Sequence, residues 1–111
     1  MKKFSLVLVA SALTLLFAGT AANVFANFEW AKEHPRRHQV NKRLINQNKR
    51  IIEKVGEGTM SDGEARKLHR EDRAIRQEER DMARQNGGHI TKGEQKILNR
   101  QENAVSQEIG K

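Results

Sequence analysis

Residues 58–75 read GTMSDGEARKLHREDRAI, and thirty residues further on residues 88–105 read GHITKGEQKILNRQENAV. Six of the eighteen aligned positions are identical (Gly58/Gly88, Gly63/Gly93, Glu64/Glu94, Leu68/Leu98, Arg70/Arg100, Ala74/Ala104). Met60/Ile90, Ser61/Thr91, Asp72/Glu102 and Ile75/Val105 are conservative. A period of thirty residues accommodates one helix–turn–helix unit. The shared wording has a local cause. Ser61 and Thr91, each followed three residues later by Glu64 or Glu94, spell capping boxes: the hydroxyl accepts the N3 amide and the glutamate reaches back to the N-cap amide. Gly56 and Gly58 before one box, and Gly87 and Gly88 before the other, permit the left-handed turn that ends a helix. Each copy writes a helix end, a turn and a helix start, so two copies imply three helices.

The expected class is all-α, with helices over about 35–55, 61–85 and 91–109 packed as an antiparallel bundle on short loops. Pro35 suits the first turn of its helix. Val40, Leu44, Ile51 and Val55 mark one face of the first helix, Leu68, Ile75 and Met82 recur every seven residues in the second, and Leu98, Val105 and Ile109 follow in the third. These stripes are as narrow as a coiled-coil seam. The second helix is otherwise charged, with supporting pairs in Lys67–Glu71, Asp72–Arg76 and Asp81–Arg84. Leu44, Leu68 and Leu98 are each followed seven residues later by Ile51, Ile75 or Val105, and midway stand Gln47/Asn48, Glu71/Asp72 and Gln101/Glu102. Asn48, Asp72 and Glu102 are read from this as one polar layer. Such a layer costs stability and sets register or partner choice; a metal site or a catalytic acid is the sharper alternative.

The N-terminus reads as a secretory signal peptide over residues 1–26. Lys2 and Lys3 precede the nearly uncharged run 4–18, and Val24 and Ala26 occupy the small-residue places before a cut after Ala26. No cysteine follows to carry a lipid, and a membrane anchor would need roughly twenty apolar residues. Residues 27–34 are expected to form a flexible lead into a domain at 35–111, with the product periplasmic or secreted.

Removing Lys2 and Lys3 leaves 19 basic against 14 acidic residues, and the excess lies early. Arg36, Arg37, Lys42, Arg43, Lys49 and Arg50 form a candidate basic binding face within 32–54. In a cytosolic chain this stripe would suggest nucleic acid; export points instead to an anionic envelope component or an acidic protein, and nucleic acid is not an expected partner. With Phe28 and Trp30 as interfacial anchors the same stretch is the alternative, a membrane-surface binder. There are no cysteines, so a short chain lacks staples and its core is marginal. Either a thin core suffices or the chain pairs as a homodimer.

Sharper chemistry finds thin support. Gly88, Ile90 and Glu94 match the second half of a calcium EF-hand loop, but Ala83, Gln85 and Gly87 stand where the early oxygen ligands belong. His34, His38, His69 and His89 show no convergent zinc spacing and are expected to be exposed. No nucleophile or metal-hydrolase motif is present. The expectation is therefore a non-enzymatic protein without a cofactor, with an EF-hand-like metal-responsive protein as a further alternative.

The strings HPRR (34–37), NQNKRI (46–51), LHREDRAIRQEERDMA (68–83), NGGHIT (86–91) and LNRQENAVSQEI (98–109) resemble a family of small exported helical proteins of Gram-negative bacteria. The resemblance implies a shared fold and periplasmic or secreted placement, and carries no activity with it. MSDGE (60–64) and ITKGE (90–94) are more distantly similar to the L-T-x-x-Q helix starts of small periplasmic stress chaperones, with glutamate in place of glutamine. That likeness implies a cradle holding unfolded clients on a basic, partly apolar face, for which the first helix with Ile45 and Ile52 is the counterpart. The functional expectation is macromolecular binding in the envelope or outside the cell, in envelope stress or host interaction.

Overall fold

The computed structural model describes residues 26–110. The signal peptide expected over 1–26 falls outside the described residues except for Ala26. Residues 26–33 (α1) are helical, where the sequence suggested a flexible lead. The cause is local: this stretch contains no glycine or proline, and the Lys32 ammonium lies 5.5 Å from the centroid of the Phe28 ring one turn earlier. His34 breaks the helical run at φ −130°, ψ 61°, because the following proline ring disfavours the α conformation of the residue before it. The chain divides into two compact units at this point, 1–33 and 34–111.

The second unit holds α2 (Pro35–Gly56), α3 (Asp62–Gln85) and α4 (Lys92–Ile109), and among the described residues there is no strand. All three helices touch one another. Hydrogen bonds between Gln39 and Gln95, Arg43 and Asn99, Gln47 and Glu102, and Arg50 and Ser106 keep an offset of 55 or 56 residues. A constant offset means that α2 and α4 run parallel. Arg37 meets Glu79 while Asn48 meets His69, so α3 runs against both.

The turns are built as the glycines demand. At the end of α2 the amide of Thr59 donates to Lys54 O (2.9 Å) and that of Gly58 to Val55 O (3.1 Å), with Gly58 at φ +78°. This is a Schellman closure. The second turn repeats it: Gly88 donates to Ala83 O at 2.8 Å and Gly87 sits at φ +65°. A Cβ on Gly58 or Gly56 would meet nothing within 4 Å, so the two differ only in backbone conformation. Gly58→Ala should therefore lose about 1 kcal/mol by forcing an L-residue into the left-handed region. Gly56→Ala, in the last helical turn, should gain several tenths of a kcal/mol. Urea titration of both variants checks the turn; equal effects of one sign would contradict it.

The core is a single cluster in which Val40, Leu44, Ile51, Leu68, Ile75, Leu98, Val105 and Ile109 are buried, with Val55 and Met82 at its edge. Met60 and Ile90, directly before the two N-caps, close its ends from the turns. Three expected pairs on α3 fare differently. Asp81 and Arg84 do pair at 3.3 Å. Lys67 reaches across to Glu108 at 3.0 Å instead of bonding Glu71, and Asp72 is buried, away from Arg76.

Candidate functional site

The polar layer forms, with one substitution in its membership. Asp72 and Glu102 are buried beside Gln47, whereas Asn48 is half-buried and its Oδ1 accepts from His69 Nδ1 at 2.9 Å. The phase of α2 explains the correction. Val40 stands four residues before Leu44, so the next seam position comes three residues on, at Gln47, as in a 4-3-4 seam. Gln47 Nε2 donates to the Glu102 carbonyl at 2.7 Å, but Gln47 Oε1 and all four carboxylate oxygens of Asp72 and Glu102 accept no hydrogen bond from the protein. Arg43 Nε approaches Glu102 Oε1 only to 3.8 Å.

Burial pushes the Glu102 carboxyl up to about 8, with Arg43 opposing the rise and Asp72 and Glu79 adding to it. Burial, then the charge of Glu71, pushes Asp72 up to about 6. Both shifts run toward the neutral form because a buried carboxylate with no donors is costly. One heptad beyond Asp72 is a third buried acid, Glu79, and it is held differently. Arg37 grips it two-pronged, Nε to Oε2 and Nη2 to Oε1, while Arg37 Nη1 donates to Gly88 O at 3.2 Å. This buried ion pair was not expected from the sequence. Its signal was present in the seven-residue step from Asp72 to Glu79.

The candidate basic face on α2 is largely consumed by the fold. Arg36 donates to Ile90 O at 2.7 Å, Arg37 holds Glu79, and Arg43 donates to Asn99 Oδ1 at 3.3 Å and to Asn103. Arg50 donates to Ser106 Oγ at 2.9 Å and to the carbonyl of Gly110. Arg36, Arg43 and Arg50 are spaced by sevens, so their side chains fall on one flank of α2 and strap it to α4 and the turn before it. Of the six residues, Arg36, Lys42 and Lys49 are exposed, and of these three Arg36 is held by the Ile90 carbonyl.

The two capping boxes are unequal. Thr91 and Glu94 form both halves: Glu94 N donates to Thr91 Oγ1 at 3.1 Å and Thr91 N to Glu94 Oε1 at 2.8 Å. Ser61 accepts from Glu64 N at 3.1 Å without the reciprocal bond; the Glu64 carboxylate instead lies near Lys67. The EF-hand reading finds no support, since Glu94 also accepts from Asn86 at 3.0 Å and so serves the turn. Among the described residues no three His, Cys, Asp or Glu side chains cluster as metal ligands. Of the histidines, His38 and His89 are exposed as expected, whereas His34, stacked on His89 with centroids 4.6 Å apart, and His69, bonded to Asn48, are half-buried.

The open cationic surface lies on α3. Arg66, Arg70, Arg73, Arg80 and Arg84 are exposed at steps of 4, 3, 7 and 4 residues, which keeps them on one helix face. Of these only Arg84 makes an ion pair among the described residues. Between α2 and α3 lies a shallow groove lined by Ile52, Val55, Asp62, Ala65, Arg66 and His69. Sequence reasoning passed over this face because acidic residues are interleaved along α3 and cancel its charge when summed; the 3-and-4 spacing of the arginines was the available signal. Among the described residues no helix is long and apolar enough to cross a membrane. Compared with family models, curated proteins and solved structures, the chain matches none.

Proposed function

We propose that this chain is an exported, non-enzymatic helical protein that acts by binding an anionic macromolecule on its outer surface. The observation that carries the reading is the row of exposed arginines on α3, most of them without an internal partner. Unpaired guanidinium groups on a rigid helix are ready to form two-pronged bonds with carboxylates or phosphates. The interior supports the same view: the two carboxyls pushed up by burial are sealed in the core, Glu102 at 0% and Asp72 at 2% exposure. The signal-peptide pattern at residues 1–26 and the resemblance to small exported proteins favour placement outside the cytoplasm, where acidic proteins and anionic envelope components are the abundant anions. The two turns make the domain over 34–111 a three-helix unit, with α1 belonging to the segment before it.

The test is capture on the immobilised protein from an envelope extract, with elution by salt. A retained macromolecule that is lost when Arg66, Arg73 and Arg80 are changed together to glutamine is the expected result. No retained species, or retention indifferent to that triple change, refutes the reading. The membrane-surface alternative is weaker now that Arg36, Arg37, Arg43 and Arg50 hold the fold together; exposed Phe28 is what speaks for it.

A further inference from the structure

The geometry points to the α2–α3 groove as a docking surface for an acidic amphipathic helix of a partner protein; this rests on the macromolecule-binding reading and names the partner's chemistry. Ile45 and Ile52 are 57% and 64% exposed and stand seven residues apart on α2, about 10.5 Å along its axis. With Lys42 and Lys49 they form an outward stripe of alternating Lys and Ile at steps of 3, 4 and 3. Across the groove Arg66, Arg73 and Arg80 repeat the same seven-residue step on α3 and are exposed. The 2.9 Å bond between Asn48 and His69 fixes the antiparallel register of the two walls. It brings Ile52 level with Arg66, where both line a hollow of about 280 Å³, and by the same register it brings Ile45 level with Arg73.

A trough with an apolar contact every seven residues and cations on both banks has the repeat of a helix laid along it. Charge complementarity selects the occupant: apolar residues at heptad spacing, flanked on both sides by Glu or Asp. A bilayer fits less well, because interfacial binding takes a broad apolar face with large side chains pointing outward, and here two isoleucines lie between charged rows. A nucleic acid would engage the guanidinium groups and leave both isoleucines idle.

The test measures binding of the full chain to a labelled synthetic helix of about three heptads, with leucine at the two seam positions and glutamate flanking them. A peptide of identical composition but shuffled order, and vesicles of phosphatidylglycerol and phosphatidylcholine, are the comparisons. The ordered peptide should bind about tenfold or more tighter than the shuffled one. Ile45→Asn with Ile52→Asn should remove about tenfold in affinity, and Arg66→Gln with Arg73→Gln should also flatten the salt dependence. Lys96→Gln with Arg100→Gln on α4 should change little, and circular dichroism verifies that each variant is folded. Equal binding of the shuffled peptide, or an equal loss from the α4 variant, overturns the groove. So does preferential binding of the vesicles through the same residues. If neither peptide binds while the envelope extract still yields a salt-eluted macromolecule, the groove fails and the broader reading survives; if that capture fails too, both fall.

Discussion

Arg37→Ala should lower the free energy of unfolding by about 3–5 kcal/mol, the largest loss expected of any residue on the protein's charged exterior. Arg37 is 18% exposed and looks from outside like one more surface arginine, yet its guanidinium is the two-pronged partner of a carboxylate that is 1% exposed. Removing it strips the buried Glu79 carboxyl of its two-pronged donor, and the deletion also strips Gly88 O, in the glycine turn, of its side-chain hydrogen bond. The loss is thus mostly the penalty of an orphaned buried carboxyl and not the worth of the pair. Two further variants separate these. Arg37→Ala combined with Glu79→Leu should recover most of the stability, because an apolar side chain needs no partner, and Arg37→Lys should fall between, because an ammonium cannot grip both oxygens. Urea denaturation at neutral pH reads all three. A loss below about 1 kcal/mol for the single variant would place the pair among ordinary surface bridges and remove Glu79 from the core's polar set.

The strap and the clamp also mark where sequence reading succeeds and where it stops. The three helices of the second unit were legible because their ends are written locally: a hydroxyl and a glutamate three residues apart after a glycine pair need no distant partner to act. The polar layer was legible for a related reason. Its apolar–polar–apolar pattern is symmetric about the middle, so Leu68–Asp72–Ile75 falls in register with Leu98–Glu102–Val105 even though the two helices run in opposite directions. What failed were judgements about which way a long side chain turns. Arg36, Arg43 and Arg50 look like a binding stripe when summed as charge, but each reaches a carbonyl or side chain 54 to 60 residues away, and local pattern does not contain that distance. Gln47 displaced Asn48 by the phase of a single seam step. Residues 26–33 are helical where a flexible lead over 27–34 was expected; the absence of any helix breaker before His34 was the local signal.

Glu102→Gln should stabilise the protein by about 2–4 kcal/mol at pH 8 and change it little at pH 4, reversing the usual expectation that altering a buried group does harm. In the unfolded chain Glu102 ionises near 4.5, and in the fold burial raises that to about 8. Between those values the folded protein holds a proton that the unfolded chain has released. Stability contributed by the neutral carboxyl is therefore complete below about pH 4 and is lost as pH rises through 8. Asp72, raised from 3.8 to about 6, acts in the same direction over the lower part of that range. Wild-type protein should consequently weaken steadily from about pH 5 to pH 8, opposite to a protein held by surface carboxylate pairs. Glutamine keeps the volume and cannot ionise, and its amide offers donors to the unsatisfied oxygens of Gln47 and Asp72. The variant's curve should thus lie flat where the wild type declines, leaving only the shallower slope due to Asp72. Thermal or urea midpoints measured from pH 4 to 8 decide it: parallel curves for the two proteins would mean that Glu102 is ionised in the fold, with Arg43 satisfying it despite the 3.8 Å separation. In that case the same substitution would cost stability at every pH, since it would strip the arginine of its counter-charge, and the layer would be an ion pair set into the core instead of a store of protons.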